Sequence, residues 1–232
     1  MPEPRLPLVP KVFVALVLTT PLGLGTGPVM AMGGHYVVDD AATAAPGRCE
    51  AYAWYSRGGS DDQAVEAELA CNPLGNLELT VGLGRFKDGD SWETGAALEA
   101  KHIVRQAAVG GWGWGVVGRS EWRDTFGDHA NAQLYLPVTV IVNDRVALHV
   151  NGGGVWERDD RNAATWGVAA DVNLTPQLNL IGESYGTHRG DTEFQIGLRS
   201  RFGGGGQADL SYGWARSNSS DNWITLGLAW ML

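Results

Sequence analysis

The last eleven residues, Asn222 to Leu232 (N-W-I-T-L-G-L-A-W-M-L), constrain the fold more than any other stretch. Ile224, Leu226, Leu228, Trp230 and Leu232 fall on one side of an extended chain, and Trp223, Thr225, Gly227, Ala229 and Met231 on the other. Alternation with period two marks a strand with two unlike faces. A strand at the end of a chain presents a row of unpaired amides and carbonyls unless another strand takes them. Pairing with the first strand of the same sheet leaves no open edge and makes the sheet a barrel.

The head of the chain reads as a secretory signal, residues 1–31. Arg5 and Lys11 are its positive part, Val12 to Leu18 begin an apolar core that continues through Leu24, and Val29-Met30-Ala31 is a small-residue cleavage site. The mature chain is expected to start near Met32. A membrane anchor fits less well, because Pro21 and several glycines interrupt the run, and no Cys stands at the cleavage site for a lipid. Outside this region no apolar run reaches the ~20 residues of a spanning helix. Removing Glu3, Arg5 and Lys11 takes the formal charge from −9 to −10. An acidic, exported chain is a poor nucleic-acid binder.

Two cysteines, Cys49 and Cys71, in an exported chain imply a disulfide. Gly58 to Asp62 (G-G-S-D-D) is a turn, and folding the hairpin about Ser60 sets residue 49 opposite residue 71 on the same face. Two buried free thiols are the alternative.

Segments of alternating residues recur with turn signals between them. They are Arg48–Arg57, Gln63–Cys71, Asn76–Lys87, Ser91–Ile103, Ala107–Arg119 and Asn131–Val142, then Arg145–Glu157, Asn162–Val172, Gln177–Thr187, Thr192–Phe202, Gln207–Arg216 and Asn222–Leu232. Gly is 33 of 232 residues, about twice the usual share, which suits tight turns and closely packed strands. Asn72–Gly75, Asn143-Asp144, Asn173–Pro176 and Gly203–Gly206 are short connections, and Ser120–Ala130 is the longest. Pro137 interrupts one strand, and Gly111, Gly113 and Gly115 line one face of another, where they are expected to make room for bulky lumen side chains. One face is apolar throughout, as in Leu77, Leu79, Val81 and Leu83, with Tyr55, Trp92, Trp156, Trp166 and Trp214 near one end of the strands and Phe202 and Trp230 near the other. Such girdles mark the two edges of a membrane. A soluble β-sandwich shares the periodicity, but not the signal, the terminal strand and the loop asymmetry together.

These features resemble a bacterial outer-membrane protein. The expected fold is all-β, a closed antiparallel transmembrane β-barrel of about twelve strands over residues 48–232. The terminal strand resembles that group's closing strand, although Leu232 stands where an aromatic residue is usual. Through that strand the chain would meet the outer-membrane assembly machinery, and outer-membrane lipid is its surrounding partner. Residues 32–47 are expected as a periplasmic N-terminal tail, with a plug in the barrel mouth as a further option. His35, Asp39-Asp40, Gly47 and Glu50 resemble the start of a family of outer-membrane transporters named for the MetA pathway of phenol degradation. The stretches from Leu148 to Gly153, Leu174 to Glu183 and Gln195 to Arg199 are also similar to it. The resemblance implies a barrel that passes small solutes, hydrophobic or aromatic.

The face opposite the apolar one is the expected lumen lining. Its acids are Glu50, Glu66, Glu68, Glu78, Glu93, Glu99, Asp171, Glu183, Glu193 and Asp209. Its bases are fewer: Arg48, Lys101, Arg119, Arg199 and Arg201. Folding about Gly204 or Gly205 sets Asp209 opposite Arg199 or Arg201, and Glu78 can meet Lys101. The surplus of carboxylates predicts cation preference if the lumen is open. His149 and Asn151 share this face. A His base could serve a Ser nucleophile, but no Ser follows at a suitable spacing, so neither an enzyme nor a catalytic residue is expected. His35 with Asp39 and Asp40 falls short of the three or four convergent ligands of a zinc site. No metal or cofactor is expected. A passive channel is the leading expectation, with a structural or adhesive barrel of closed lumen, or an outer-membrane hydrolase, as alternatives.

Overall fold

A computed structural model describes residues 33–59, 62–123, 129–157, 162–217 and 222–232, so the expected signal peptide over 1–31 lies outside the described residues. The strands are β1 (Cys49–Gly58), β2 (Gln63–Cys71), β3 (Leu77–Asp88), β4 (Ser91–Arg105), β5 (Gly111–Arg123) and β6 (His129–Asn143). They continue as β7 (Val146–Glu157), β8 (Ala163–Thr175), β9 (Leu178–Thr187), β10 (Thr192–Phe202), β11 (Gly206–Ala215) and β12 (Asn222–Met231). Each pairs antiparallel with its chain neighbours, and β12 pairs with β1, so the sheet is a closed twelve-stranded barrel. The Leu232 amide donates to Cys49 O at 2.8 Å, which carries the closing ladder to the end of the chain.

Hairpin geometry sets the register. Cys49 stands opposite Cys71 and the two are joined as a disulfide. Gly204 and Gly205 turn the chain between β10 and β11 at φ 77° and 80°, a region closed to most side chains, and so set Arg199 opposite Asp209. Glu78 stands opposite Lys101. Side chains on the outer face are apolar and exposed, among them Leu83, Leu98, Leu134, Leu198 and Leu228. By strand alternation no Asp or Glu among the described residues points outward.

Two irregularities have local causes. Pro137 is fully buried. It has no amide hydrogen to give, and the β5–β6 pairing lapses beside it, between Trp114↔Val138 and Val117↔Tyr135. Gly113 makes room for backbone alone, whereas Gly115 also makes room for a lumen side chain, the buried Ile103, whose Cδ1 would lie 2.9 Å from an added Cβ. A Cβ on Gly113 would lie 2.4 Å from the Ala107 nitrogen, and one on Gly115 2.7 Å from His102 O. The chain from Arg105 to Ala107 folds back over Gly113, and β5 starts at Gly111 rather than Ala107. The long Ser120–Ala130 connection is largely strand, and its centre, 124–128, lies outside the described residues.

The segment 33–47 is not a tail below the barrel. It rises from β1 into the lumen and runs round the inner wall, which is the plug arrangement. Ala44 meets Glu78 of β3, Ala41 meets Thr139 of β6, Asp39 meets Asn151 of β7, and Val37 and Val38 meet Glu183 of β9. His35 reaches Ser211 of β11, and Gly33 lies against Tyr52 of β1.

Candidate functional site

The inner segment has no strand beside it, so its backbone amides need acceptors from elsewhere. Wall side chains take that part. Glu183 accepts Val37 N at 3.1 Å and Val38 N at 3.0 Å, one on each carboxylate oxygen. Asn151 acts as a peptide would, its Oδ1 accepting from Asp39 N at 2.7 Å while its Nδ2 donates to Asp39 O at 2.8 Å. Ala41 N donates to Thr139 Oγ1 at 2.8 Å and Ala44 N to Glu78 Oε2 at 2.6 Å. Small residues let the backbone approach this closely. Tyr36 and Val38 pack on Ala169 and Ile181, the buried apolar cluster of the lumen. Gly167 leaves space for Val38, whose Cγ2 would lie 2.7 Å from an added Cβ.

Charge fixes the segment at two points. Lys101, 4% exposed, places Nζ 2.7 Å from Asp39 Oδ1 and 3.1 Å from Asp40 Oδ1. Its ladder partner Glu78 is engaged by Ala44 instead. The expected Glu78–Lys101 ion pair is therefore replaced by one with the inner segment. Arg199, fully buried, donates from Nε to Asp209 Oδ1 at 2.7 Å and from Nη2 to Gly33 O at 2.9 Å. Buried charges stay ionised at tolerable cost only with partners of this kind. His35 Nε2 lies 2.9 Å from Ser211 Oγ. Burial pushes the His35 ring down to about 4, with Asp209 opposing and Arg199 adding to the shift.

Beside the inner segment, lined by the wall from β1 round to β10, runs a cavity of about 530 Å³. It reaches from Asp191 and Glu193 at the mouth opposite the chain ends down to Glu50 and Glu78. Glu66, Glu68, Glu99 and Glu121 line it between these ends, and its basic lining residues are Lys101 and Arg119. Arg119 gathers Glu68 at 2.9 Å, Glu99 at 3.3 Å and Glu121 at 2.7 Å. Trp54 Nε1 donates to Glu66 Oε1 at 3.0 Å. Tyr52, whose hydroxyl donates to Glu50, and Tyr135 and Tyr185 complete an aromatic part of the lining.

Of the residues expected to line the lumen, Glu50, Glu66, Glu68, Glu78, Glu99, Lys101 and Asn151 border this cavity. His149, Glu183, Arg199 and Asp209 are buried behind the inner segment. Arg201, offered as an alternative partner of Asp209, leaves that role to Arg199. Sequence reasoning missed Tyr52, Trp54 and Tyr135, which share strand parity with Glu50, Glu66 and Gln133 and were legible by that signal. His149 Nδ1 lies 2.9 Å from Thr139 Oγ1. The His35–Ser211 contact pairs a base with a hydroxyl, but the neighbouring Asp209 is held by Arg199 and by Gln207 at 3.2 Å. Among the described residues no group of three or more His, Cys, Asp or Glu is placed to hold a metal ion.

The fold and site define a closed twelve-stranded antiparallel β-barrel with an apolar exterior and a charged, partly open interior. The chain belongs to the family described as "Uncharacterised conserved protein UCP029691", which it matches over residues 22–231. No sequence among curated proteins matches it. Its fold is similar to that of the KdgM porin in complex with disordered oligogalacturonate (TM-score 0.66, 10% identity, 78% of this chain and 98% of that one). It is similar to the NanC porin (0.62, 9%, 78% and 98%) and to the COG4313 outer membrane channel from Pseudomonas putida F1 (0.63, 11%, 83% and 98%). At these identities the likeness is one of fold. The similarity to the phenol-degradation transporters remains a resemblance.

Proposed function

We propose that this protein is a channel of the bacterial outer membrane that admits small solutes and favours cations, with the segment 33–47 as its internal constriction. The exposed apolar outer face, flanked by Trp92, Trp156 and Trp166 at one end and Phe202 and Trp230 at the other, supports the membrane setting. The observation that carries the selectivity is the cavity lining, where carboxylates outnumber Lys101 and Arg119. A surplus of fixed negative charge in a low-dielectric passage attracts cations and repels anions. The acidic wall argues against a polyanion such as the oligogalacturonate held by the KdgM porin. Tyr52, Trp54, Tyr135 and Tyr185 give small aromatic solutes, the class implied by the phenol-degradation resemblance, surfaces to stack on.

Reversal potential across a salt gradient in a planar bilayer tests this. Cation preference is expected, and Glu66→Gln with Glu68→Gln shifts the potential toward zero. Anion preference would overturn the reading. A second reading, a structural barrel with a closed lumen, draws on the inner segment lying across the interior. Absence of conductance both in the wild type and after deletion of residues 33–45 would favour it.

A further inference from the structure

On the outer face the only charged side chains on β1–β3 are basic, and they lie together at one rim. Arg85 and Lys87 follow Leu77, Leu79, Val81 and Leu83 on the outward face of β3. Lys87 stands opposite Gln63 of β2, and Gln63 opposite Arg57 of β1. Two ladder spacings separate Arg57 from Lys87, about 10 Å. The Arg85 guanidinium lies 5.2 Å above the ring of Trp92, which is exposed on β4. No ion-pair partner of Arg85 or Lys87 stands among the described residues, and every strand carboxylate described faces inward. With strands tilted by ~40° from the barrel axis, the rise from Leu77 to Arg85 along that axis is about 20 Å, so these cations sit where an apolar band of ~25 Å gives way to headgroups. The rim is the one away from the chain ends, the outer-leaflet side in the orientation that short turns and long loops define.

We propose that Arg85 and Lys87, with Trp92 as a platform, form a binding site for the phosphate of an anionic lipid in the outer leaflet. An ammonium and a guanidinium two residues apart on one strand face can share one phosphate or take two on a single headgroup. The indole at the same level suits the polar–apolar boundary. A soluble anion would gain from the two charges alone, whereas a lipid also covers Leu83 and the Trp92 ring with its chains. The proposal rests on the membrane setting of the proposed function, and not on what passes through the lumen.

Native mass spectrometry of the folded barrel in neutral detergent tests it, with three probes: a bis-phosphorylated lipid A, the same glycolipid without phosphates, and inorganic phosphate. The phosphorylated lipid should be retained at about tenfold lower concentration than its dephosphorylated form. Arg85→Gln with Lys87→Gln should abolish that difference, while Arg189→Gln with Arg216→Gln in the loops should keep it. A heat-modifiability gel checks that each variant is folded. Equal retention of the two lipids would overturn the phosphate site and leave the membrane setting intact. Retention of neither would overturn both. Competition by inorganic phosphate at the lipid's own concentration would show a soluble-anion site and overturn the lipid assignment.

Discussion

Lys101 Nζ and Asp39 Oδ1 lie 2.7 Å apart, an ion pair between the barrel wall and the chain inside it. Asp40 gives the same ammonium a second carboxylate at 3.1 Å. Replacing both acids, Asp39→Ala with Asp40→Ala, leaves Lys101 buried without its partners, a loss of about 3–5 kcal/mol for a buried pair broken on one side. Released from this contact, the inner segment should become accessible to protease from the mouth, and bilayer conductance should rise. Unchanged protection and conductance would show that the ion pair does not hold the segment.

Gly167 offers a cleaner way to the same end. The nearest atoms to an added Cβ there belong to Val38, at 2.7 Å, and the next is the Tyr185 Cβ at an ordinary 3.5 Å. Gly167→Ala should therefore loosen the inner segment while the barrel still shows its heat-dependent gel shift. Proteolysis of the segment with an intact barrel is the expected result.

Asp209→Ala takes from Arg199, which is fully buried, its carboxylate partner and leaves it the Gly33 O hydrogen bond. The expected cost is about 3–5 kcal/mol, seen as a lower thermal unfolding midpoint. Changing Asp144, exposed in the β6–β7 turn, should have a much smaller effect. Equal effects would remove the Arg199–Asp209 pair as a source of stability.

The Cys49–Cys71 bridge closes a loop with a sequence separation of 22 residues. Chain entropy for a loop of this size gives a stabilisation of about 3 kcal/mol. The unreduced protein should show no free thiol, and reduction should lower the unfolding midpoint.

Acid should loosen the inner segment through His35. Its ring titrates at about 4 in place and near the ordinary 6.5 when exposed, so the docked state disfavours the proton. The His35 contribution to docking is intact above the exposed value and is lost progressively as pH falls from 6.5 toward 4. Burial holds the Asp39 carboxyl above its usual range, so its contribution runs in the opposite sense. Comparing wild type with His35→Gln cancels the Asp39 part. The variant should lose the wild type's increase in protease sensitivity between these pH values.

The sheet was legible in the sequence because its determinants are local. The turn expected about Ser60, which lies outside the described residues, and the one at Gly204 predict two registers, and alternation then decides which residues face in. Cys49–Cys71 and Arg199–Asp209 follow from that alone. The inner segment was not legible, because its contacts are not local. Glu183, Thr139, Asn151 and Ser211 belong to four different strands, and no spacing links them to Val37 or His35. A stretch of Gly and Ala without periodicity reads as a free tail, yet the same small residues let it lie flat on the wall. Lys101 shows the limit of register: Glu78 is its ladder neighbour, but the inner segment comes closer and takes it. Of the β5 glycines, Gly115 does leave room for the lumen side chain of Ile103, whereas the chain returning at Ala107 fills the space at Gly113.

The course of residues 33–47 also sets an order of events. Gly33 lies against Tyr52 inside a wall that has no gap once β12 pairs with β1. The segment must either be enclosed as the sheet curls shut or be drawn in afterwards through the mouth nearest the chain ends. Its hydrogen bonds to Thr139, Asn151, Glu183 and Ser211 span sequence separations of 98 to 176 residues, so they form only when distant strands are in place. Seating of the segment is therefore the closing act of assembly, and protection of Val37 and Val38 from exchange reports that assembly has finished.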